Sequence, residues 1–525
     1  MPEGNAEFDL AVIGGGINGT GIARDGAGRG LRVLLVEQND LASGTSSAST
    51  KLIHGGLRYL EHGWFRLVRE ALAEREVMLR MAPHLIRPMR FVLPVEPGGR
   101  PIWMLRLGLF IYDHLGGRKI LPATKRVDLE QGPLAAPLRQ TYAHGFEYSD
   151  CWADDARLVV LNALDAQEHG AVVRTRTRCI GAERKSIWRI VLDARGRRDA
   201  ATARVLVNAT GPWLRLFAQN VLRERAPTPV RLDKGSHIVV PRLFAHDRGY
   251  IFQTRDGRVV FALPFERDFT LIGTTDRGFS GDPAAVRASA EEIAYLCDVA
   301  KEHFRVGTLA PRSRERFGAS AASGRGEGLK QNHVVWSFAG VRALYDDARR
   351  RSQDVSRDYV LKLDEGPGAA ALITVYGGKI TTYRRLAEHA VDRLSHVLKV
   401  GPPWTARSHL PGGEFPHDGF EALVAATRRS RPFLDEEHVR RLVHAYGTRL
   451  ERLLGAARSR EELGPWLGAD LSAAEVRYLM QWEWAESADD VLWRRTKLGL
   501  RFSPAERDAL ARFMTDTIGA AGPSP

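Results

Sequence analysis

The residues best suited to chemistry near the start of the chain are a cluster of glycines and a single acid. The cluster reads Gly14, Gly15, Gly16, Ile17, Asn18 and Gly19, and the acid is Glu37. Its first, third and last glycines suit a tight turn, close approach of the backbone to a pyrophosphate, and close packing of a helix on a sheet. An acid at Glu37 can accept hydrogen bonds from ribose hydroxyls, which favours FAD or NAD over a 2′-phosphorylated dinucleotide.

The flanking segments are those that such a turn needs. A short apolar run at 10–13 precedes the glycines, a segment rich in small residues follows them, and a second apolar run at 33–36 leads to Glu37. This order predicts the strand, helix and strand of a dinucleotide-binding unit. The helix would begin where its free N–H groups and its positive dipole end can face the phosphates.

Three later segments offer further contacts to the same cofactor. The loop after the second strand is rich in serine, threonine and glycine, and the hydroxyls of Ser46 and Ser47 can bond phosphate oxygens. Two apolar runs end in glycines, one at Gly211 and one at Gly378. Both predict close backbone approach, and Lys379 adds a cation at the second place.

The middle of the chain predicts one long helix and a separate sheet. Residues 57–81 have apolar positions at helical spacing, and the proline at position 83 would end that helix. Short β-type runs between 230 and 275 predict an antiparallel sheet. A further strand at 334–338 leads toward Arg342.

The C-terminal part reads as helical. It follows a linker that contains proline and glycine, and two capping boxes mark helix starts within it. They are Ser472 with Glu475 and Ser503 with Glu506, and Pro504 occupies the first helical position of the second. We find no internal repeat.

The composition is that of a globular protein with a strongly basic balance. Hydrophobic residues make up 44%, charged residues 26%, and the net charge is +13. Such a charge suits an anionic substrate or anionic lipid, but scattered arginines also fit an ordinary solvated surface, and we expect no nucleic-acid partner. Cys151, Cys179 and Cys297 lie far apart, which predicts neither a metal site nor a disulfide framework and fits a reducing compartment. No secretory leader and no membrane-spanning run is apparent.

Residues 84–121 mix large apolar groups with arginines. The groups concerned are Arg87, Arg90, Arg106, Trp103, Leu107 and Phe110. Such a segment can lie at a bilayer surface, with the arginines toward lipid headgroups and the apolar side chains in the acyl boundary. A buried helix with charged flanks is the alternative.

Eight segments together resemble the FAD-dependent glycerol-3-phosphate dehydrogenases. They are, in chain order, SSASTKLIHGGLRYLE, FEYSDCWADDARLV, NATGPW, KGSHIVVP, IGTTD, GVR, GGKITTYRRLAEHA and RRTKLGL. The resemblance runs from about residue 8 to about residue 515, far beyond the glycine cluster. It implies a D-amino-acid-oxidase-like fold of mixed α/β and α+β class.

The implied organisation has three parts. A discontinuous FAD domain of the glutathione-reductase type covers 7–85, 150–225 and 335–400. A β-rich substrate domain with the candidate membrane segment covers 86–149 and 226–334. A linker at 401–414 then leads to an all-helical cap domain at 415–520.

The resemblance also implies a reaction, a cofactor and a location. The expected reaction oxidises sn-glycerol 3-phosphate to dihydroxyacetone phosphate, with hydride transfer from C2 to FAD and electrons passed to a membrane quinone. The implied location is cytoplasmic, at the inner face of the inner membrane against anionic lipid, and the resemblance leaves room for a homodimer.

The substrate would need cations for its phosphate and a base for its C2 hydroxyl. The expected substrate-binding residues are Arg58, Tyr59, Arg342, Lys379, Thr381 and Thr382. The expected catalytic residues are His237, His54, Arg342 and Lys379, and either histidine could take the proton.

Two features depart from the family pattern. Ala343 stands where the family often has proline, and a segment rich in glycine, alanine and serine at 318–328 reads as an inserted surface loop. Three rival functions remain: a glycerol-3-phosphate oxidase that uses O₂, an amino-acid oxidase, and a non-catalytic flavin-binding sensor or membrane adaptor.

Overall fold

The structure is a computed structural model that describes five stretches of the chain. They are residues 6–139, 142–254, 256–305, 329–346 and 358–521. The predicted loop at 318–328 lies outside the described residues.

The strands of the described residues form two large sheets. In chain order they are β1 (Phe8–Ile13), β2 (Val33–Val36), β3 (Leu52–Ile53), β4 (Ile86–Pro94), β5 (Lys125–Asp128), β6 (His144–Ala153), β7 (Val172–Arg174), β8 (Arg178–Arg184), β9 (Trp188–Ala194), β10 (Arg197–Asn208), β11 (Val230–Pro241), β12 (Gly249–Gln253), β13 (Val259–Phe265), β14 (Phe269–Gly273), β15 (Arg277–Gly278), β16 (Trp336–Tyr345), β17 (Val360–Asp364) and β18 (Ala371–Tyr376).

Helices pack against these sheets and make up most of the C-terminal part. In chain order they are α1 (Ile17–Gly28), α2 (Phe65–Met81), α3 (Ile102–Leu115), α4 (Asp155–Glu168), α5 (Leu214–Asn220), α6 (Ala290–His303), α7 (Tyr383–Asp392), α8 (Phe420–Ser430), α9 (Glu436–Tyr446), α10 (Leu450–Leu454), α11 (Ala473–Trp482) and α12 (Pro504–Ala521).

The first sheet carries the predicted dinucleotide-binding unit. Its strand order is β17-β18-β10-β1-β2-β7, with β9 beside β10 and β8 beside β9. The pairs that join β1, β2, β7, β10 and β18 are parallel. The apolar residues of β1, β2 and β18 are buried, and α1, α4 and α7 cover one face of the sheet. The carboxyl ends of β1, β10 and β18 therefore meet at one edge, where a ligand is expected to bind.

The second sheet is mainly antiparallel and confirms the predicted β-rich layer. Its order is β15-β11-β14-β13-β12-β4-β6-β3, with β16 paired to β11 and β5 to β6. Sheet membership differs from the predicted domain boundaries at three places. The strands β3 and β16 were assigned to the FAD domain but pair in this sheet, and β6 runs across the predicted boundary at 149–150.

Two predicted elements have different bounds. The helix expected over 57–81 is broken, since Leu57–His62 form a separate 3₁₀ turn and α2 begins only at Phe65. The cause is Gly63, whose left-handed φ of 70° no continuous helix can contain. The strand expected to end at residue 338 continues to Tyr345, so Arg342 lies within β16 and not after it.

The candidate membrane segment contains an exposed apolar helix face, and its contact with a bilayer stays a prediction. Helix α3 exposes Trp103, Leu107 and Phe110, with exposed fractions of 68%, 51% and 60%. Of the three arginines expected at lipid headgroups, Arg106 is exposed on α3, whereas the other two face elsewhere. Arg87 packs over the Trp152 ring at 4.6 Å, and Arg90 donates to Glu147 and Ser149 within the sheet. Among the described residues, no helix is both long and apolar enough to cross a membrane.

The C-terminal helices have their own core and are joined to the FAD domain by buried ion pairs. Arg157 of α4 pairs with Glu483, and both side chains are almost fully buried. The capping box at Ser503 is confirmed, because Ser503 and Glu506 cap each other. The one at Ser472 is only half formed, since the Glu475 carboxylate accepts bonds from Arg441 and Tyr446 instead.

Candidate functional site

A cleft opens at the shared edge of β1, β10 and β18. It has a volume of about 290 Å³. Most of the residues predicted to bind the cofactor line it, and Arg342 lines it too; the predicted cofactor residues in its wall are Gly14, Gly15, Gly16, Asn18, Glu37, Ser46, Gly211 and Gly378. The sequence therefore identified the wall of this cleft from five separate segments.

The glycines of the first turn are required by its packing. Gly14 has a φ of 117°, and a Cβ there would lie 2.5 Å from the carbonyl oxygen of Ala209. A Cβ on Gly19 would lie 1.9 Å from the carbonyl oxygen of Gly14. Gly19 is not in the cleft wall, but it allows α1 to start close behind the turn, as predicted.

Glu37 and Ser46 hold this turn from the side. The Glu37 carboxylate accepts bonds from the Gly15 amide at 2.7 Å and the Asn39 amide at 2.8 Å. The Ser46 hydroxyl accepts from the Ile17 amide at 3.0 Å. Burial raises the pKa of Glu37. Each Glu37 oxygen keeps a second lone pair for a ribose hydroxyl, so its predicted role is compatible with these bonds.

The far wall of the cleft is built by two glycines after β18. Asn18 donates to the carbonyl oxygen of Gly377 at 3.1 Å, and its own side-chain oxygen is buried without a partner. Gly378, with a φ of 91°, leaves room for that side chain, since a Cβ would lie 2.8 Å from it. A buried unpaired acceptor beside a cradle of glycines fits a dinucleotide with hydroxyl donors.

Ser47 is the one predicted cofactor residue on a different surface. It lines a neighbouring cavity together with aromatic side chains and is absent from the cleft wall. Its hydroxyl donates to the carbonyl oxygen of Gly44 at 3.3 Å, which closes the local 3₁₀ turn. Its predicted contact with the cofactor stays a prediction.

A second group of predicted residues lies beside Gly378. The Lys379 ammonium lies 4.0 Å from the centre of the Tyr59 ring. The Thr381 hydroxyl bonds the backbone N–H of His54 at 3.3 Å and thereby holds that segment. Burial, reinforced by the charge of Lys379, lowers the pKa of His54 to about 4. His54 is therefore neutral at physiological pH, and within the described residues its ring nitrogens have no hydrogen-bond partner.

His237 lies deeper, on β11. Its Nε2 is 2.9 Å from the Thr50 hydroxyl, and its ring stacks on Phe338 at 4.9 Å and 13°. The other face meets Gly273, where a Cβ would be 2.1 Å from the ring. Burial, followed by the charge of Lys51, lowers the pKa of His237 to about 3. This ring is fixed in orientation and neutral.

The two histidines come from distant strands of the second sheet, since His54 directly follows β3 and His237 lies on β11. His237 is opposite Gly273, and Gly273 is opposite Phe261 on the next strand. His54 packs edge-on against Phe261 with ring centres 6.2 Å apart. Two strand spacings, about 10 Å, therefore separate the backbone of His237 from that of Phe261. The structure brings both histidines to the same region.

The remaining predicted substrate-binding residues, Arg342, Arg58 and Thr382, differ in their contacts and in their exposure. Arg342 donates to Asp276 at 2.7 Å, and 40% of its side chain is exposed. Arg58 is exposed and has no side-chain partner within the part of the chain described. Thr382 is buried at the start of α7. Two of the three cations act on a histidine, since Lys379 helps to lower the pKa of His54 and Arg342 that of His237, in both cases after burial.

A buried ion pair beside His237 was not predicted. Lys51 and Asp155 have fully buried side chains 2.7 Å apart, and Asp155 also accepts from Ser49. The Lys51 ammonium lies 5.3 Å from the centre of the Phe338 ring. The available signal was a lysine directly before the apolar pair of β3, since a lysine in a buried strand needs an acidic partner.

Comparison with protein families gives two matches that together span most of the chain. A family model described as FAD dependent oxidoreductase matches residues 9–384. A second, described as the C-terminal domain of alpha-glycerophosphate oxidase, matches residues 403–519. The residues between the two matches are 385–402.

Individual relatives cover nearly the whole chain. A glycerol-3-phosphate dehydrogenase of Pseudomonas aeruginosa is 50% identical over 97% of this chain and 95% of its own length. A D-erythritol 1-phosphate dehydrogenase of Brucella abortus is 47% identical over 96% of this chain and 97% of its own. Among solved structures, the glycerol-3-phosphate dehydrogenase of Bacillus halodurans complexed with FAD has a TM-score of 0.74 at 27% identity, covering 98% and 91% of the two chains.

Proposed function

The chain belongs to the FAD-dependent glycerol-3-phosphate dehydrogenases, and we propose that it oxidises sn-glycerol 3-phosphate to dihydroxyacetone phosphate and passes the electrons to a quinone. Its cofactor is FAD. The observation that carries the proposal is the junction at Gly378 and Lys379. Gly378 lines the cofactor cleft, and the next residue places an ammonium beside Tyr59 and His54.

The phosphate would be held by cations that come from separate segments. Lys379 supplies a point charge, and Arg342 supplies a guanidinium at the cleft wall. Arg58 is free to turn toward a bound dianion because no described residue holds its side chain. Tyr59 keeps Lys379 in place through its ring, and Thr381 and Thr382 fix the chain on the other side of that lysine.

The C2 hydroxyl needs a group that takes its proton while bound FAD accepts the hydride. His54 is the better placed, since its ring nitrogens are unbonded within the described residues and it is neutral. A dianionic phosphate beside Lys379 would offset the charge that lowers the pKa of His54 and make it a stronger base. His237 is buried and bonded to Thr50, which suits orientation of the substrate.

The acceptor and the substrate are tested in one set of assays. A dye-linked assay would compare glycerol 3-phosphate, erythritol 1-phosphate and glycerol. We expect the first to be oxidised with the highest kcat/KM and glycerol to be inactive because it offers no dianion to the cations. The same preparation would be given a quinone analogue or O₂. Quinone reduction with little peroxide supports the proposal, and peroxide as the main product would favour the oxidase instead.

Erythritol 1-phosphate is a second candidate substrate. The observation in its favour is that the Brucella abortus relative is almost as similar to this chain as the Pseudomonas aeruginosa one. Both substrates present a secondary alcohol and a phosphate, so the same cations and histidines serve either. A higher kcat/KM for erythritol 1-phosphate would replace the first assignment.

We further propose that α3 attaches the protein peripherally to anionic lipid at the cytoplasmic face of the inner membrane. Trp103, Leu107 and Phe110 recur at helical spacing on one exposed face, and the opposite face, with Leu109 and Tyr112, is buried. A helix of 14 residues is too short to span a bilayer but can lie in its interface. The net charge of +13 favours anionic headgroups.

The membrane proposal is tested with vesicles that contain anionic lipid. The double variant Leu107→Glu with Phe110→Glu should bind them at least tenfold more weakly while keeping its dye-linked activity. Ile518→Glu, on α12, is the matched control because that side chain is 50% exposed on the C-terminal domain. Equal vesicle binding by the double variant and the control would contradict the proposal.

A further inference from the structure

One segment of the C-terminal domain contacts both the loop beside the cofactor cleft and the aromatic residues beside His237. It comprises residues 490–497 and contains the start of the RRTKLGL motif, for which the reaction described above has no use. Its backbone forms a widened turn, in which the Thr496 amide donates to the carbonyl oxygen of Val491 at 3.0 Å. Such i→i+5 turns are uncommon and concentrate at functional sites.

The first contact of this segment is with the base of the cofactor loop. Arg495 donates to both oxygens of the fully buried Asp40 at 2.8 Å, and Arg494 bonds the same carboxylate. Asp40 opens the loop that carries Ser46 into the cofactor cleft. The start of that loop is thus fixed by two arginines of another domain, with the bidentate geometry that gives guanidinium–carboxylate pairs their strength.

The second contact is a stack of aromatic rings that ends at His237. Trp493 stacks on Trp336 with ring centres 4.6 Å apart, and Trp336 meets Phe338 at 4.7 Å. Phe338 then stacks on the His237 ring, whose other face is closed by Gly273. The orientation of that histidine therefore depends on a ring that the C-terminal domain supplies.

The third contact reinforces the second. Lys497, buried and with a φ of 58°, donates to the carbonyl oxygen of Trp493 at 2.8 Å and lies 3.6 Å from Asp154. The next residue after Asp154 is the aspartate that pairs with Lys51, and Lys51 lies over the Phe338 ring. The Phe338 ring, which supports His237, is therefore contacted both by the buried ammonium of Lys51 and by the aromatic stack.

We propose that residues 490–497 are a positioning element for the active site: they orient His237 through Trp493 and anchor the cofactor loop through Arg494 and Arg495. The C-terminal domain then helps to set the geometry of catalysis and of FAD binding. The part that concerns His237 rests on the function proposed above. The part that concerns the loop does not, because FAD affinity can be measured without any substrate.

The His237 arm is tested by the limiting rate of flavin reduction in anaerobic single turnovers with glycerol 3-phosphate. Trp493→Ala should lower that rate at least tenfold and change the substrate concentration at half-saturation less than twofold, because the phosphate cations are untouched. Trp493→Phe keeps a ring and should be two- to fourfold slower than the wild type. Trp482→Ala is the control, since Trp482 belongs to the same domain and packs under Arg452 instead.

The loop arm is tested by the dissociation constant of FAD from the apoprotein. Arg494→Gln should raise it at least fivefold. Arg449→Gln should leave it within twofold of the wild type, because Arg449 also joins the C-terminal domain to the FAD domain, through Glu168, but does not touch the loop. This control separates loss of the anchor from loss of any interdomain ion pair.

Two results would overturn the proposal. One is a Trp493→Ala variant that is reduced at the wild-type rate; if that variant is insoluble, a wild-type rate for Trp493→Leu, which also lacks an aromatic ring, decides in the same way. The other is equal FAD affinity in Arg494→Gln and Arg449→Gln. If the wild type itself is not reduced by glycerol 3-phosphate, the proposed substrate fails, and the loop arm still decides whether the segment anchors the cofactor loop.

Discussion

The cofactor cleft and the proposed substrate pocket of this protein are built in opposite ways. The cleft is formed by backbone, since its key positions are glycines whose missing side chains leave room, and Glu37 and Ser46 hold it through main-chain amides. The pocket is formed by side chains, with Lys379, His54 and Arg342 each held by a partner from another segment. Side chains added at Gly14, Gly15 or Gly19 would therefore clash with neighbouring atoms, whereas the pocket depends on charge and orientation.

This difference predicts that the two functions can be lost separately. A change in the cleft should remove FAD and with it all activity. A change in the pocket should leave FAD bound and weaken only the reaction with the substrate. The following changes test that separation, in order of decreasing effect.

The largest effect is expected from Gly19→Ala. The new Cβ would lie 1.9 Å from the carbonyl oxygen of Gly14, so α1 and the turn must move apart. We expect purified protein with less than about a tenth of the wild-type flavin content, because the turn is the proposed pyrophosphate site. Gly108→Ala is the control, since a Cβ there meets no atom within 4 Å. Full flavin content in Gly19→Ala would contradict the role of the turn.

Lys379→Met should come next and should affect the other function. Loss of a phosphate contact in a partly buried pocket is expected to cost roughly 3–4 kcal/mol of transition-state binding, or about 100- to 1,000-fold in kcat/KM. Flavin content should stay at the wild-type level. Steady-state kinetics and the flavin absorbance of the same preparation check both statements. Loss of flavin from this variant would mean that Lys379 belongs to the cofactor site.

Arg342→Ala should have a smaller effect on the same quantity, about tenfold in kcat/KM. Its guanidinium is 40% exposed and shares its charge with Asp276, so solvent and that carboxylate weaken its attraction for phosphate. Both KM and turnover should change, since Arg342 also lines the cofactor cleft. Unchanged kinetics would remove Arg342 from the site.

The smallest effect is expected on the pH dependence of folding stability, to which His54 and His237 contribute. Their pKa values are lowered to about 4 and about 3, below the value near 6.5 of an unfolded chain. As the pH falls below 6.5, the unfolded state takes up protons that the folded state does not, so these groups reduce stability progressively down to about pH 4 and pH 3. His54→Asn should therefore lose less stability than the wild type between pH 7.5 and pH 5.

Urea unfolding at these two pH values measures the difference. Lys379→Met serves as a comparison because it keeps the histidine but removes a charge that lowers its pKa. If His54→Asn and the wild type lose the same stability over this interval, His54 is not held neutral in the folded protein.

The sequence was informative for the cleft because its signals are local. Gly14 to Gly19 and Glu37 lie within one βαβ unit, and their spacing alone predicts a turn, a helix and an acid at a strand end. The C-terminal helices were similarly readable, since Ser503 and Glu506 cap a helix within three residues. Both predictions are confirmed by the structure and, for the cofactor, by the comparisons.

The proposed pocket could not be predicted from the spacing of residues in the sequence, because its contacts join residues that are far apart in the chain. Lys379 meets Tyr59, and His237 meets Thr50 and Phe338, through pairings that only the second sheet creates. Tyr59 and His237 were identified by family resemblance, Lys379 also by its place after two glycines, and Thr50 and Phe338 were not predicted. The same limit explains the errors at Gly63 and in β16, where a left-handed glycine and a pairing with β11 overrode the local pattern.

The most direct test of the account is an anaerobic titration of the FAD-loaded wild type with glycerol 3-phosphate, followed at the visible absorbance of the flavin. We expect about one equivalent of substrate to bleach the flavin, and the same addition to leave the flavin of Lys379→Met largely oxidised on that timescale. If the wild type carries a full complement of FAD, is bleached by dithionite, and yet stays oxidised with every polyol phosphate tried, the cations and histidines beside Gly378 do not form a substrate pocket and the account is wrong.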